Sequence, residues 1–218
     1  MEAQGVPNNI EAVSRSPRAS LTRKLIHLAM AIIPAAGWWI AYWLALALAA
    51  VMLGASLIVE AARRWWPRLN HLLWLLLPTV FRDSEDRRVL GSTWFAAGAT
   101  AALLLFGQDI GGTAVLFLCW GDPLAEMVGR RWGRAGQGKT LAGSLGCWVA
   151  CLVAGAVGTG LGGLGVGAVL AGGVVATLVE RWSPPPNDNL WMPVLSGLAM
   201  ALTQWLVGGE LVLLPLWR

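Results

Sequence analysis

The sequence predicts an all-α fold, a polytopic bundle of membrane helices, and three observations carry that prediction. Of its 218 residues 56% are hydrophobic and only 13% charged, whereas a soluble domain carries about 25% charged residues. Apolar runs near the length of a membrane crossing recur along the chain, separated by short polar stretches. Many of the fourteen tryptophans, among them Trp38, Trp39, Trp65, Trp66, Trp182, Trp191 and Trp217, stand at the ends of those runs, where amphipathic rings anchor at the headgroup level. The net charge of +4 does not point to nucleic acid, because the basic residues are scattered at run ends and form no single patch; a membrane surface is the simpler partner. Cys119, Cys147 and Cys151 all lie in apolar runs without the spacing of a zinc site. They read as small packing residues.

Residues 1–20 are polar, with Pro7, Pro17, Arg15 and Arg18, and read as a disordered cytoplasmic tail. Residues 21–218 then form one transmembrane domain. A cleaved signal peptide is not expected, since the charged lead is long and no small-residue cleavage pattern follows a short apolar core. Runs at 25–40 and 41–59 would pair through a tight turn near Trp38-Trp39. Residues 69–81 are too few to cross about 30 Å of hydrocarbon and read as interfacial or re-entrant. The segment from Arg82 to Arg88 is the most hydrophilic of the chain. Further spans are expected at 90–106, 113–129, 141–159, 164–180 and 190–207, about seven crossings in all. With the N-terminus in the cytoplasm, every Lys and Arg except Arg218 falls on inside segments, as the positive-inside rule requires. Gly158-x-x-x-Gly162 and Gly163-x-x-x-Gly167 match the spacing of close helix packing.

The chemistry concentrates between Gly121 and Ser144. Ionisable groups inside an apolar run are costly and mark functional sites. Asp122 and Glu126 are four apart and so share one helix face, with Ala125 and Gly129 leaving that face open for a ligand or another backbone. Such carboxylates suit Mg²⁺, which takes one or two of them together with substrate phosphates; the alternative is pairing with Arg130 or a neighbouring helix. The following Gly133-Arg134-Ala135-Gly136-Gln137-Gly138-Lys139-Thr140 satisfies the letter of a P-loop. It follows a membrane helix and not a strand, so a P-loop fold is rejected. The local physics remains: glycines admit phosphate oxygens to backbone N–H groups, Lys139 adds charge, and Thr140 opens a helix N-terminus that favours anions. Glu60 with Arg63 and Arg64 is either a ligand or a snorkelling helix end. Asp188-Asn189 after three prolines is either a ligand pair or an N-cap. His27 stands alone, and no Ser/His/Asp or Cys/His nucleophile arrangement is visible.

Taken in order, Arg23-Lys24-Leu25-Ile26-His27, Glu60-x-x-Arg63, Gly91-Ser92-Thr93-Trp94-Phe95, Gly121-Asp122-Pro123-x-Ala125 with Gly129-Arg130 and Gly133-Arg134, Gly138-Lys139-Thr140-x-x-Gly143-Ser144, and Glu180 with Asp188-Asn189 and Pro193 resemble the dolichol kinase, phytol kinase and CTP-dependent diacylglycerol kinase family. Ala142 departs from it, since many relatives carry an acid there. The resemblance implies phosphoryl transfer from a nucleoside triphosphate, CTP ahead of ATP or UTP, to the hydroxyl of a membrane lipid alcohol on the cytoplasmic side. It assigns Asp122 as Mg²⁺ ligand or general base, Lys139 with Gly138 and Thr140 as phosphate binders and Arg130 as a charge stabiliser. Glu126 and Glu60 join the metal candidates. Gly121, Gly129, Gly133, Gly143, Ser144, Asp188 and Asn189 join the nucleotide candidates, and Arg23, Lys24, His27, Arg63 and Glu180 complete the set. Self-association is left open. Two rival readings are a cytidylyltransferase like the CDP-diacylglycerol synthases, which would want a denser acidic cluster, and a proton-coupled transporter, which would want inverted repeats.

Overall fold

A computed structural model describes residues 17–80, 85, 88–133 and 138–208, and the described residues are helical with no strand. The elements are α1 (Pro17–Ala29), α2 (Ile32–Trp39), α3 (Tyr42–Trp65), α4 (Pro67–Leu76), α5 (Gly91–Trp132), α6 (Leu141–Gly162), α7 (Val166–Trp182) and α8 (Asp188–Gly208). Four of them, α3, α5, α6 and α8, are long and apolar enough to cross a membrane. The first departure from expectation is at the start. Helix α1 begins at Pro17, inside the stretch assigned to the tail, and Ser20 is buried; the remainder of that stretch lies outside the described residues.

The core is α5, and its shape follows from one glycine. Gly107 takes φ 72° and ψ −166°, a conformation that side chains with a Cβ rarely adopt, and it folds the 42-residue element into two arms, 91–106 and 108–132. The arms run antiparallel. Phe95 on the first and Asp122 on the second both meet His27, and Gly98 and Gly121 both abut the 189–193 stretch of α8. The expected six-residue linker at 107–112 is therefore a single turn residue, after which helix resumes at once. No Cβ would fit at Gly111 against the Ala102 carbonyl, so the arms touch from their first turn. Phe117, Leu103, Leu118 and Val115 are fully buried between them and the surrounding helices.

The outer helices pack on this hairpin. In α3, Ala45 and Ala49 are buried and Tyr42 Oη donates to the Leu103 carbonyl at 2.9 Å, while Val51 and Ile58 on the other face are each 71% exposed. Small residues inward and branched aliphatics outward are the pattern of a helix with lipid at its back. The contrast with α5 is direct: 78% of its most apolar window is buried, against 17% for α3. Helix α4 has ten residues, about 15 Å at 1.5 Å per residue, too short to cross, and Pro67 occupies its first turn. Gly158 and Gly162 on α6 do mark close packing, against Thr113 and Asp109. Gly163 does not; it ends α6 in the left-handed region at φ 67°. The three cysteines are buried and unbridged.

These connections bring the polar residues of distant segments to one end of the bundle. His27 meets Asp122, Arg63 meets the carbonyls of Glu85 and Arg88, Gly91 meets Asn189, and Lys139 meets Glu180 and Asp188. The opposite end is marked by Trp38, whose indole N–H donates to Asp109 at 3.4 Å.

Candidate functional site

One face of α1 supplies the first wall. Ser20, Lys24 and His27 recur at helical spacing, and each meets a carboxylate of the second α5 arm. Ser20 Oγ donates to Glu126 Oε1 at 2.7 Å, Lys24 Nζ lies 3.6 Å from the same oxygen, and His27 Nδ1 lies 3.5 Å from Asp122 Oδ2. Arg130 also pairs with Glu126 at 2.8 Å. The two acids expected to act together therefore divide. Glu126 is held by Ser20, Lys24 and Arg130, which is the pairing alternative realised, while Asp122 faces inward toward His27.

Glu60 is equally engaged. Arg63 forks onto both of its oxygens at 2.8 and 3.1 Å, Arg64 adds a contact at 3.3 Å, and the Leu90 N–H donates to Oε2 at 3.3 Å. Arg63 in turn donates to Asn70 Oδ1 and to the carbonyls of Glu85 and Arg88. Glu85 Oε1 accepts from the Gly91 N–H at 2.8 Å, so two carboxylates sit at the start of the first α5 arm, where the helix dipole favours negative charge. The contacts of Glu60 fasten α3 to α5, and none of them is with Asp122 or Glu126.

The second wall is the loop before α6. Thr140 is the N-cap, its hydroxyl accepting from the Gly143 N–H at 3.1 Å. Lys139 Nζ lies 2.7 Å from Asp188 Oδ2 and 3.2 Å from Glu180 Oε1, and the Arg181 guanidinium donates to the Lys139 carbonyl at 3.0 Å. Burial alone would push the lysine pKa down, but Asp188, Glu180 and Asp122 outweigh it and hold it above the ordinary value. Asp122 thus belongs to the field around Lys139 as well as to His27. Glu180 is 5% exposed, and its Oε2 is buried without a hydrogen-bond partner among the described residues, an arrangement that calls for an explanation in a buried carboxylate. Ser144 Oγ, one helical turn into α6, is likewise buried and unpartnered.

The N-cap expected of Asp188-Asn189 is supplied by Asn187, whose side chain accepts from the Asn189 N–H at 2.9 Å. That releases Asp188 for Lys139 and Asn189 for the Gly91 carbonyl, to which its amide donates at 3.1 Å. The glycines divide too. A Cβ at Gly143 would stand 2.7 Å from the Ala125 carbonyl oxygen, so Gly143 is needed for α5 and α6 to touch. Gly121, Gly129 and Gly133 are likewise closed in by neighbouring atoms, and Gly138 alone of the five has no atom of the described residues where a Cβ would be. Residues 134–137, the middle of the loop, lie outside the described residues.

Between α1, α3 and the starts of α5 and α8 lies a cavity of about 210 Å³. Its lining mixes the polar Arg23, His27 and Asn189 with the apolar Met30, Met52 and Phe95. The sequence singled out neither methionine, nor Ser20. For Ser20 the signal was available in its spacing to Lys24 and His27; a methionine in an apolar run gives none. Among the described residues no three His, Cys, Asp or Glu side chains gather as a metal cluster.

Three curated proteins match the chain. A protein named CTP-dependent diacylglycerol kinase 1 from Schizosaccharomyces pombe is 34% identical over 88 residues, 38% of this chain and 40% of that protein. Its namesake from Eremothecium gossypii is 28% identical over 174 residues, 66% of this chain and 54% of that protein. The Saccharomyces cerevisiae namesake is 28% identical over 104 residues, 42% and 36% of the respective chains. The matches span about half the length of these relatives or less. No family model and no solved structure matches the chain.

Proposed function

We infer that the chain belongs with the CTP-dependent lipid kinases that its matches name, and that it transfers the γ-phosphate of CTP to the hydroxyl of a membrane lipid alcohol, diacylglycerol foremost. The observation that carries this reading is the cluster of Lys139, Glu180, Asp188 and Asp122, drawn from four separate elements to one end of the bundle. Phosphoryl transfer needs positioning and charge compensation more than covalent chemistry. Lys139 meets the phosphate charge, Gly138 leaves room for phosphate oxygens, and the N-terminus of α6 adds about half an elementary charge of positive potential.

Mg²⁺ fits the remaining groups. Glu180 and Asp188 would hold it, since this ion takes one or two carboxylates with phosphates and Glu180 Oε2 has no hydrogen-bond partner among the described residues. When bound, it would neutralise charge building on the β- and γ-phosphates. Asp122, on the His27 side, takes the proton. As the lipid oxygen bonds to the γ-phosphorus, the bond from that phosphorus to the bridging oxygen breaks. CDP leaves with the bridging electron pair, and the hydroxyl proton passes to the Asp122 carboxylate.

The topology that goes with this reading has seven crossings: α1 with α2, α3, the two arms of α5, α6, α7 and α8. The distribution of Lys and Arg supports a cytoplasmic N-terminus and a cytoplasmic catalytic end. The test is reconstitution in lipid nanodiscs with CTP labelled at the γ-phosphate and a panel of diacylglycerol, polyprenol and phytol. Asp122→Asn should lower kcat by about 100-fold or more without lowering the thermal midpoint; full activity in that variant would sink the assignment.

A further inference from the structure

The cavity between α1 and α3 is not needed for the nucleotide end, and its shape and chemistry say what it holds. It runs along the helices. Along α1 and the turn that follows it, the cavity spans from Arg23 to Met30, about 10 Å at 1.5 Å per residue. On α3 it reaches Met52, eight residues before Glu60 and so about 12 Å deeper than the polar knot at that end. Arg23, His27, Ser92 and Asn189 line it, and Met30, Phe95 and Met52, each a helical turn or more farther from the polar end along its own segment, carry the lining deeper. Such a gradient suits an amphiphile lying along the membrane normal. It does not suit a triphosphate: Lys139 and Thr140 are absent from the lining, and the acidic Glu85 is part of it.

Two further observations fix the occupant. Helices α1 and α3 each pack against α5 but not closely against each other, and the outward face of α3 beside Met52 presents Val51, 71% exposed. The gap therefore lies next to the apolar surface of the bundle. At the other end His27 lines the cavity while its ring nitrogen stands 3.5 Å from Asp122, the acid assigned to the reaction on separate grounds. A molecule with its chain among the methionines has its polar head beside that acid.

We propose that this cavity is the acceptor site, which takes the hydroxyl and first carbons of a lipid alcohol, with the hydroxyl against His27, Ser92 and Asn189 and the chain against Met30, Met52 and Phe95. Methionine side chains are flexible and polarisable, so the deep part adapts to the chain while the polar part sets its height. That the occupant is the phosphate acceptor rests on the kinase reading; that it is a lipid rests on the cavity itself.

The experiment uses the wild-type protein in phosphatidylcholine nanodiscs with a diacylglycerol analogue carrying a diazirine near the start of its chain, followed by irradiation and peptide mapping. With the label assigned residue by residue through fragmentation of the mapped peptides, label on Met30, Met52 or Phe95 themselves, displaced by excess diacylglycerol and not by CTP, is the expected result. Label confined to outward side chains such as Val51 and Ile58, or displaced by CTP, overturns the proposal. In parallel, Met52→Trp fills the deep part and should raise the half-saturating mole fraction of lipid by about fivefold or more with the KM for CTP unchanged; an unaltered lipid response in a folded variant overturns it as well. Should the wild-type protein take up the label in the cavity yet phosphorylate no alcohol in the panel, the kinase reading falls and the lipid site stands. Should it phosphorylate diacylglycerol without labelling there, the site falls and the kinase stands.

Discussion

Glu60 and Glu180 are alike in burial, at 6% and 5% exposed, and each sits near the C-terminal end of its helix against a cation. They differ in how completely they are used. Both oxygens of Glu60 are taken, its chief partner Arg63 comes from the same helix one turn on, and the guanidinium spends its other N–H groups on an asparagine side chain and two carbonyls. Glu180 keeps one oxygen without a partner among the described residues, and its cation arrives on a loop from 41 positions earlier, shared with Asp188. A planar fork locks geometry, whereas an ammonium on a four-carbon stem is a point charge that moves easily. The closed cluster holds the bundle together and the open one is equipped to accept a ligand.

Breaking the closed cluster should give the largest effect. Glu60→Ala strands the Arg63 guanidinium in a buried position, a loss that typically costs about 3–5 kcal/mol, a large share of an ordinary margin of about 5–15 kcal/mol. Size-exclusion thermal unfolding in detergent should show the midpoint collapse or no folded protein at all. A midpoint within the error of wild type would mean that the knot is not structural.

Lys139→Ala tests the open cluster from its cation. The side chain is 33% exposed, so solvent screening leaves its ion pairs worth under about 1 kcal/mol to folding, and the thermal midpoint should hardly move. The KM for CTP should rise by about 10- to 100-fold, the loss of one charge-assisted contact of about 1.5–3 kcal/mol. An unchanged KM would remove the loop from the nucleotide site. Glu180→Gln is milder, because it keeps the shape and removes only the charge. It should raise the Mg²⁺ concentration for half-maximal activity severalfold, about 1 kcal/mol in binding, with kcat at saturating Mg²⁺ little changed. Asp122→Asn should do the opposite, and a shared response of the two variants would undo the division between metal side and proton side.

The contrast between the clusters explains how far the sequence could be read. The all-helical class and the presence of helices long and apolar enough to cross a membrane were legible, because hydrocarbon imposes length and composition on every crossing. The reversal at Gly107 was expected as a six-residue linker, because flanking glycines look like a loop even when helix resumes after one residue. At the site, Asp122, Lys139 and Glu180 were legible as charges that an apolar chain would not otherwise carry. The partition among them was not, since one charge in a run looks the same whether it is saturated, as Glu126 is by Ser20, Lys24 and Arg130, or left open. The acceptor cavity was invisible for a different reason: Met30 and Met52 lie in apolar runs where methionine is ordinary filler, and only the fold sets them across from one another.

The finest separation lies within a single motif. Gly138 and Gly143 flank Thr140 in the stretch that looks like a phosphate loop, yet the second is closed in by the Ala125 carbonyl and the first faces open space. An alanine at Gly138 meets no atom of the described residues, so Gly138→Ala should leave the thermal midpoint unchanged, within about 0.5 kcal/mol as for surface substitutions. A methyl group in the path of a phosphate oxygen is another matter: the backbone N–H can no longer approach closely, and the KM for CTP should rise a few-fold, about 0.5–1 kcal/mol. If both stability and KM are unmoved, the open space beside Gly138 is solvent, and Lys139 and Thr140 alone remain to meet the nucleotide from that loop.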